Sequence, residues 1–386
     1  MRRALRRHEL VPLLILAGCG ARVDPFAADR ELPTQVTGPP HVSLRVAEAL
    51  LVDIATAAIP PDPLVVQGPL GMPIEVAPTV EALQIEVVET DVCPSCVDID
   101  VQAQGRLDLH TALLDAADVP WRAQVGAPLR VDASSGTSGL RLDAQWAATP
   151  VRSAVQIEQG SAAVEAIVSG FVTGWLQTFL TDALRDPTRI ATLSLDGVPV
   201  HDVQLTPDDA LHVHAHLALP VIAPQLPPAP DPEAGWVLTL PTSVALALAR
   251  HHALRDSERA YFIEPTDISL DGATLNAQVR IWKAGRRAHY KSVLIEGIVS
   301  VREGDILVSP TRAETFASMA WRGGLDTAIL GAKLRKWVEK GEIRLPATLQ
   351  TPHGVIRVKQ VLGDKGHILV RGGFSPTNRS REASQR

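Results

Sequence analysis

The chain has 386 residues, with 37 Lys and Arg against 43 Asp and Glu, and a formal net charge of -6. Apolar residues make up 46% and charged residues 21% of the sequence, which excludes an intrinsically disordered protein. The length suffices for two domains that each bury a sizeable core. Past the N-terminus, no apolar run reaches the roughly 18 residues that a membrane-spanning helix needs, which excludes a polytopic membrane protein.

Residues 1–18 have the pattern of an export signal. A basic segment with four arginines precedes an apolar run at residues 11–17, and the segment ends in Leu16-Ala17-Gly18-Cys19. This ending resembles the bacterial lipobox, in which a signal peptidase cuts before a cysteine that carries a diacylglyceryl group. The resemblance implies a lipoprotein lipidated at Cys19. A plain signal peptide or an uncleaved anchor is the alternative.

The residues after Cys19 indicate where such a lipoprotein would reside. Gly20 and Ala21 follow the cysteine, with no Asp at the next position, which favours the outer membrane with the protein facing the periplasm. The acyl chains would hold the protein to the membrane. Residues 19–40 are polar and contain prolines, so we interpret them as a tether.

Two segments, residues 41–219 and 236–371, follow the same order of predicted elements on either side of a proline-rich linker, residues 220–235. Each opens with a strand that leads into a helix, continues through strands of alternating apolar and polar residues, and then has a second helix and closing strands. The opening pairs are 41–46 with 47–59 and 236–240 with 243–254, and the second helices are 161–184 and 325–339. Two unrelated α+β domains are the alternative.

This pattern resembles the tubular lipid-binding (TULIP) superfamily and, within it, the bactericidal/permeability-increasing-like (BPI-like) proteins. The opening HVSLRVAEALLVDIA and its counterpart WVLTLPTSVALALA are similar to the start of that family's domains. The resemblance implies an α+β fold of two tandem domains, each a long helix packed in a strongly curved antiparallel sheet. The second half is shorter here, and the first carries a Cys-Pro-Ser-Cys insertion. Residues 372–386 are predicted to be a disordered tail.

The resemblance implies that the protein binds or shuttles a lipid, phospholipid or lipid A in type, in an apolar tunnel between helix and sheet. Each acyl methylene removed from water contributes roughly 0.8 kcal/mol, so such a site needs no polar motif. A structural or assembly lipoprotein with filled cores and an envelope protein partner is the alternative. The candidate lining residues are Phe171, Trp175, Phe179, Leu330, Leu334 and Trp337.

The two halves differ in charge. Residues 19–235 hold 10 Lys and Arg against 28 Asp and Glu, whereas residues 236–386 hold 23 against 14. A basic second half beside an acidic first half could orient the protein at an anionic surface or lipid headgroup. A solvated face that keeps the protein soluble is the alternative. No nucleic-acid partner is expected of a lipoprotein.

Two clusters could carry other chemistry. Cys93 and Cys96 form a CxxC, which outside the cytosol favours a local disulfide over redox or zinc chemistry. On a strand, the side chains of His212, His214 and His216 would share one face. This pattern is typical either of a metal site or of an outward face exposed to solvent. We favour the solvated face and expect no metal and no cofactor.

No catalytic motif supports an enzyme. The sequence lacks a Gly-x-Ser-x-Gly elbow, an HExxH pair, a P-loop and a dinucleotide glycine motif. The Ser-rich segment at residues 134–139 is predicted to form a turn. Besides lipid binding and a structural or assembly role, the third possible function is that of a metal or redox module that depends on the histidines or cysteines.

Overall fold

The structure is a computed structural model of the chain. It describes residues 38–58, 64–67, 73–90, 96–110, 115–136, 139–146, 152–157, 170, 188–193, 198, 200–207, 210–227, 230, 235–254, 261–283, 289–319, 332, 336, 341–345, 347–350 and 354–376. Within these residues the protein is mostly β-sheet, with nineteen strands and two helices. No helix among them is long and apolar enough to cross a bilayer.

The elements of the first half are β1 (Val42–Val46), α1 (Glu48–Ala58), β2 (Leu64–Gln67), β3 (Pro73–Val88), β4 (Cys96–His110), β5 (Asp115–Gly136), β6 (Gly139–Trp146), β7 (Arg152–Ile157), β8 (Thr188–Leu193), β9 (Val200–Pro207) and β10 (Leu211–Leu217). Those of the second half are β11 (Trp236–Pro241), α2 (Thr242–Leu254), β12 (Tyr261–Asp271), β13 (Thr274–Lys283), β14 (His289–Arg302), β15 (Asp305–Met319), β16 (Ile343–Leu345), β17 (Thr348–Gln350), β18 (Gly354–Asp364) and β19 (His367–Pro376).

A central sheet joins the two halves. Its strand order is β17-β18-β19-β11-β1-β10-β9, and its middle is the antiparallel pair of β1 and β11. The opening strand of each half lies beside that of the other, and each also pairs with the last strand of its own half. Around the pair of Leu44 and Leu238 the two halves are therefore related by an approximate twofold symmetry, with β17 as an additional edge strand of the second half.

Each half also contributes a long antiparallel sheet of its own. The first sheet has the order β2-β3-β4-β5-β6-β8, with β7 also paired to β5, and the second sheet has the order β12-β13-β14-β15-β16. Register shifts interrupt both, for example between Val80 and Ala82 and between Glu296 and Gly297. Such bulges add twist and bend, so long strands curl instead of forming a flat sheet.

Both halves pack their apolar faces onto the central sheet. One cluster joins Val97 and Leu129 of the first sheet to Val213 of the central sheet. A second cluster joins Val299 of the second sheet to Val361 of the central sheet. The apolar face of the central sheet is thus covered at both ends.

The two helices pack across the boundary between the halves. Helix α1 contacts both β3 and β19, and its Glu48 accepts a hydrogen bond from the backbone N–H of Val87 at 2.9 Å. Helix α2 packs on β12, while its Val244 is buried in the cluster formed mainly by the first half. The halves therefore share a core around the central sheet.

The structure agrees with the sequence on the opening of each half. The predicted strand and helix at 41–46 and 47–59 match β1 and α1, and the predicted elements at 236–240 and 243–254 match β11 and α2. Pro241-Thr242 marks the helix start as expected, with Thr242 Oγ1 donating to the carbonyl of Gly366 at 3.0 Å. At the other end, β19 runs to Pro376, beyond the predicted domain end at residue 371.

The predicted second helices, residues 161–184 and 325–339, lie outside the described residues except at three positions. Gly170, Ala332 and Lys336 are described, and all three are helical. The arrangement of a long helix inside each curved sheet stays a prediction. The signal segment and the tether also lie outside the described residues, apart from residues 38–40.

Candidate functional site

The first sheet has one apolar face and one polar face. Strands β4 and β5 alternate so that Val97, Val119, Trp121, Ala123 and Leu129 are buried. Their register pairs apolar residues across neighbouring strands, as in Val97 with Leu129 and Ala103 with Ala123. This alternation places an almost continuous apolar surface on one side of the sheet.

Trp121 is the largest of the described side chains on that apolar face. It is only 2% exposed and lies across from Gly105 on the neighbouring strand. Gly105 packs so closely on the backbone of Thr79 that no side chain fits there. The indole Nε1 is buried and has no hydrogen-bond partner among the described residues. A lone donor in an apolar surface costs about 1–3 kcal/mol, so Trp121 is a place where an acceptor from a ligand would stabilise the protein.

The second sheet has an apolar face that reaches an exposed edge. Val299 and Val308 pair with each other and belong to the buried cluster on the central sheet. The face continues into the edge strand β16, where Val308 pairs with Ile343 and Ile306 with Leu345. Ile343 and Leu345 are 40% and 49% exposed. An apolar surface that runs from a core to an open edge is suited to contact with an apolar ligand.

The polar face of the first sheet holds a cavity of about 680 Å³. Residues from β3, β4, β5 and β7 line it, and five of the ten are glutamines. The cavity therefore lies on the opposite side of the sheet from Trp121, and it is not the apolar tunnel that the sequence predicts. Its lining residues are Ala82, Leu83, Gln84, Gln102, Ala103, Gln104, Arg122, Ala123, Gln124 and Gln156.

A buried carboxylate ties α2 to the second sheet. Glu264 on β12 is 4% exposed and accepts hydrogen bonds from Arg250 Nη2 at 2.9 Å and Trp282 Nε1 at 2.8 Å. Arg280 Nη1 lies 3.7 Å from the second carboxylate oxygen, and its guanidinium stacks 5.1 Å from the centre of the Tyr290 ring. The buried charge is thus paired on both oxygens, as burial requires.

The three histidines of β10 do not lie on a solvated face. His216 is buried, and His212 and His214 are half-buried. Their face of the central sheet also carries Thr239, which is fully buried. The expectation of an outward, solvated face is wrong because the central sheet is covered on this side too.

A fourth histidine, His41, joins this face. Its Nδ1 accepts a hydrogen bond from the backbone N–H of Leu217 at 3.0 Å, and its Nε2 lies 3.2 Å from the carbonyl of Val221, so the ring is neutral with its proton on Nε2. Burial lowers the pKa of His41, and the charge of nearby His216 lowers it further. Burial likewise lowers the pKa of His214, followed by the charges of His212 and His216. In the described part of the chain, no three His, Cys, Asp or Glu side chains are placed to hold a metal ion.

The remaining predicted site residues lie outside the described residues. These are Cys19, Cys93 and the six candidate lining residues, Phe171, Trp175, Phe179, Leu330, Leu334 and Trp337. Cys96 is described and is disulfide-bonded. The pairing of Cys93 with Cys96 stays a prediction.

The sequence reasoning missed Trp121 and the glutamines. Both carried a signal: apolar residues at every second position from Val119 to Ala123, and glutamines at 102 and 104 in the intervening positions of a strand. The predicted lining residues all lie on the helices instead, because the resemblance places a helix inside each sheet.

No family model matches the chain, and no curated protein sequence matches it. Among solved structures, the chain is similar to a lipopolysaccharide binding protein at 10% identity and a TM-score of 0.39, over 88% of this chain and 99% of that one. It is also similar to P47 from Clostridium botulinum A2 at 9% identity and a TM-score of 0.31, over 86% of this chain and 97% of that one. Both TM-scores are below 0.5.

Proposed function

We propose that this protein binds lipid along the apolar faces of its two long sheets. One observation carries the proposal: the apolar face of the first sheet extends over several strands and continues into the shared core, and it includes the buried Trp121 donor, which has no partner in the part of the chain that the structure describes. An acyl lipid offers methylenes to such a face and an ester carbonyl to a lone donor. A long chain gains roughly 0.8 kcal/mol per buried methylene.

The exposed edge of the second sheet supports the same proposal. Ile343 and Leu345 extend an apolar surface to where a lipid could enter without unfolding the core. The second half carries a net positive charge, with 23 basic against 14 acidic residues from residue 236 onward. This charge would attract the anionic headgroups of lipids.

The envelope location is part of the proposal. The lipobox-like segment ending at Cys19 supports an outer-membrane lipoprotein that faces the periplasm and is anchored by its acyl chains. Phospholipid or lipid A is the expected class of lipid, and transfer between membranes is the expected activity. We expect no catalytic step, because no catalytic motif is present in the sequence.

Native mass spectrometry on a form that starts at Gly20 tests lipid binding directly. We expect a stoichiometric lipid that organic extraction removes. Ala103→Phe adds a large side chain to the apolar face and should lower the lipid content several-fold. Gln104→Phe makes the same kind of change on the polar face one residue later and is the matched control. Circular dichroism confirms that both variants are folded.

A structural or assembly lipoprotein is the second candidate. It is favoured by the tight packing near the central sheet, where Val97, Val237 and Val244 are fully buried. A protein without co-purified lipid that takes up none from added phospholipid vesicles, together with a stable envelope protein partner, would replace the lipid proposal with this one.

A further inference from the structure

A buried lysine lies on the apolar face of the second sheet. Strand β14 places every second residue on this face, and these residues are Lys291, Val293, Ile295, Gly297, Val299 and Val301. Lys291 is only 5% exposed, and Val293 beside it is fully buried. A lysine is almost never buried to this extent unless its charge is paired, because removing an ammonium group from water is costly. Lys291 is therefore a charge within an otherwise apolar surface.

The sheet itself supplies no countercharge to Lys291. The residues in register with it are Ile281 on β13 and Ser318 on β15. At the described positions of this face, strands β12 to β16 hold no Asp and no Glu. Lys291 also takes part in a contact within the chain. An ammonium group has three N–H donors, so such a contact and an oxygen of a ligand can share it.

The level of Lys291 reaches an open edge of the sheet. Ile281 pairs with Lys291 on one side and with Ile263 on the other. Ile263 lies on the edge strand β12 and is 49% exposed. In the other direction, the apolar face extends along β14 to Val299, which belongs to the core on the central sheet. That distance is about 26 Å at the usual rise of a strand, so a long acyl chain could lie along it.

Burial restricts the group that can pair with Lys291. A carboxylate is small, carries one charge to match one lysine, and forms strong charge-assisted hydrogen bonds with an ammonium group. A large headgroup would bring more polar groups than this apolar face can hydrogen-bond. A neutral lipid would bury the lysine further without pairing its charge. The combination of one buried cation and a long apolar face therefore favours a single acyl chain with a carboxylate at its end.

We propose that the apolar face of the second sheet binds a free fatty acid, with the carboxylate hydrogen-bonded to Lys291 Nζ and the acyl chain along β13 and β14. This inference rests on the proposed lipid binding and gives the second sheet a ligand of its own, beside the phospholipid or lipid A expected of the protein. Lys291 then selects an anionic lipid over a neutral lipid with the same chain.

The fluorescence of cis-parinaric acid and of its methyl ester tests the proposal on the purified full-length protein, freed of co-purified lipid. The two probes share one acyl chain, and only the acid is charged. We expect the wild type to bind the acid at least about tenfold more tightly, the share of one hydrogen bond between charged groups. Lys291→Met keeps a long side chain without the charge and should remove this preference, whereas Lys291→Arg keeps the charge and should retain most of it.

Lys359→Met is the matched control. It makes the same substitution at an exposed lysine of β18 and should keep the preference for the acid. If Lys291 served only the fold, Lys291→Met would lower the urea midpoint while the ratio of the two affinities stayed the same, and the proposal would be wrong. Equal binding of acid and ester to the wild type, a comparison that needs no variant, would also overturn it and leave lipid binding intact. Failure of a folded wild type to bind either probe would overturn both.

Discussion

Removal of the buried carboxylate of Glu264 should destabilise the protein through a small set of known contacts. Glu264 accepts from Arg250 at 2.9 Å and from Trp282 at 2.8 Å, with Arg280 at 3.7 Å. Arg250 belongs to α2, whereas Trp282 belongs to β13. The carboxylate therefore joins the helix to the second sheet, and its loss weakens that contact.

The expected magnitude follows from how far each partner is exposed. A hydrogen bond to a charged group contributes about 1.5–3 kcal/mol, and breaking a fully buried ion pair costs about 3–5 kcal/mol. The side chains of Arg250 and Arg280 are 39% and 42% exposed, so both can turn to water after the substitution, and their share is discounted. We expect Glu264→Ala to lower the free energy of unfolding by about 2–3 kcal/mol. Glu264→Gln keeps an acceptor for Trp282 and should cost about 1 kcal/mol.

Urea unfolding followed by circular dichroism measures these differences. Glu314→Ala is the matched control, because Glu314 pairs at 2.8 Å with Arg312 on the surface of the same sheet, and it should leave the midpoint unchanged. A Glu264→Ala variant as stable as Glu314→Ala would refute the reasoning. So would a Glu264→Gln variant less stable than Glu264→Ala, because the retained acceptor would then contribute nothing.

The other predictions concern packing, pH, the open edge and the anchor. Gly372→Ala should lower the free energy of unfolding by about 1–3 kcal/mol, since a methyl group there overlaps the ring of Trp236 across the strand pair; near-UV circular dichroism should report the displaced indole. The pKa values of His41 and His214 are lower in the folded protein than in the unfolded chain. As the pH falls below about 6.5, the unfolded chain therefore binds protons before the folded protein does. The free energy of unfolding should be constant above about pH 6.5 and should decrease below it. Urea midpoints that do not change between about pH 7.5 and about pH 5.5 would contradict this, and His41→Gln should show a flatter pH dependence than the wild type. Replacing Ile343 and Leu345 together with Ser should slow lipid uptake from vesicles at unchanged stability, whereas Ile222→Ser, an exposed apolar residue of the linker, should not. Cys19→Ser should abolish palmitate labelling and release the protein from the membrane fraction, and continued labelling would exclude Cys19 as the lipidation site.

The repeated order of elements could be predicted because it depends on local patterns. The strand that leads into α1 and the strand that leads into α2 both follow from short apolar runs, and Pro241-Thr242 marks a helix start. The long strands follow from the alternation of Val97, Ile99 and Val101, which has the period of a strand. Such features need only neighbouring residues, so the sequence shows them.

Contacts between distant segments could not be predicted in the same way. The pairing of Leu44 with Leu238 joins residues almost two hundred positions apart, and no local pattern encodes which strands become neighbours. The same limit explains the error over His212, His214 and His216. Their alternation is that of a strand with one solvated face, but burial of Thr239 beside them depends on what covers the central sheet.

The sequence alone therefore determined the order of the main strands and where the two opening helices begin. The tertiary structure decided which faces are buried and which side chains meet. Among the described residues, Trp121 became a buried donor without an acceptor, and the glutamines of four strands came to line one cavity, only when β3, β4, β5 and β7 took up their register. The alternation of apolar and polar residues along a strand makes its two faces different. The register and curvature of the sheet then determine which side chains each face brings together, and so what it can bind.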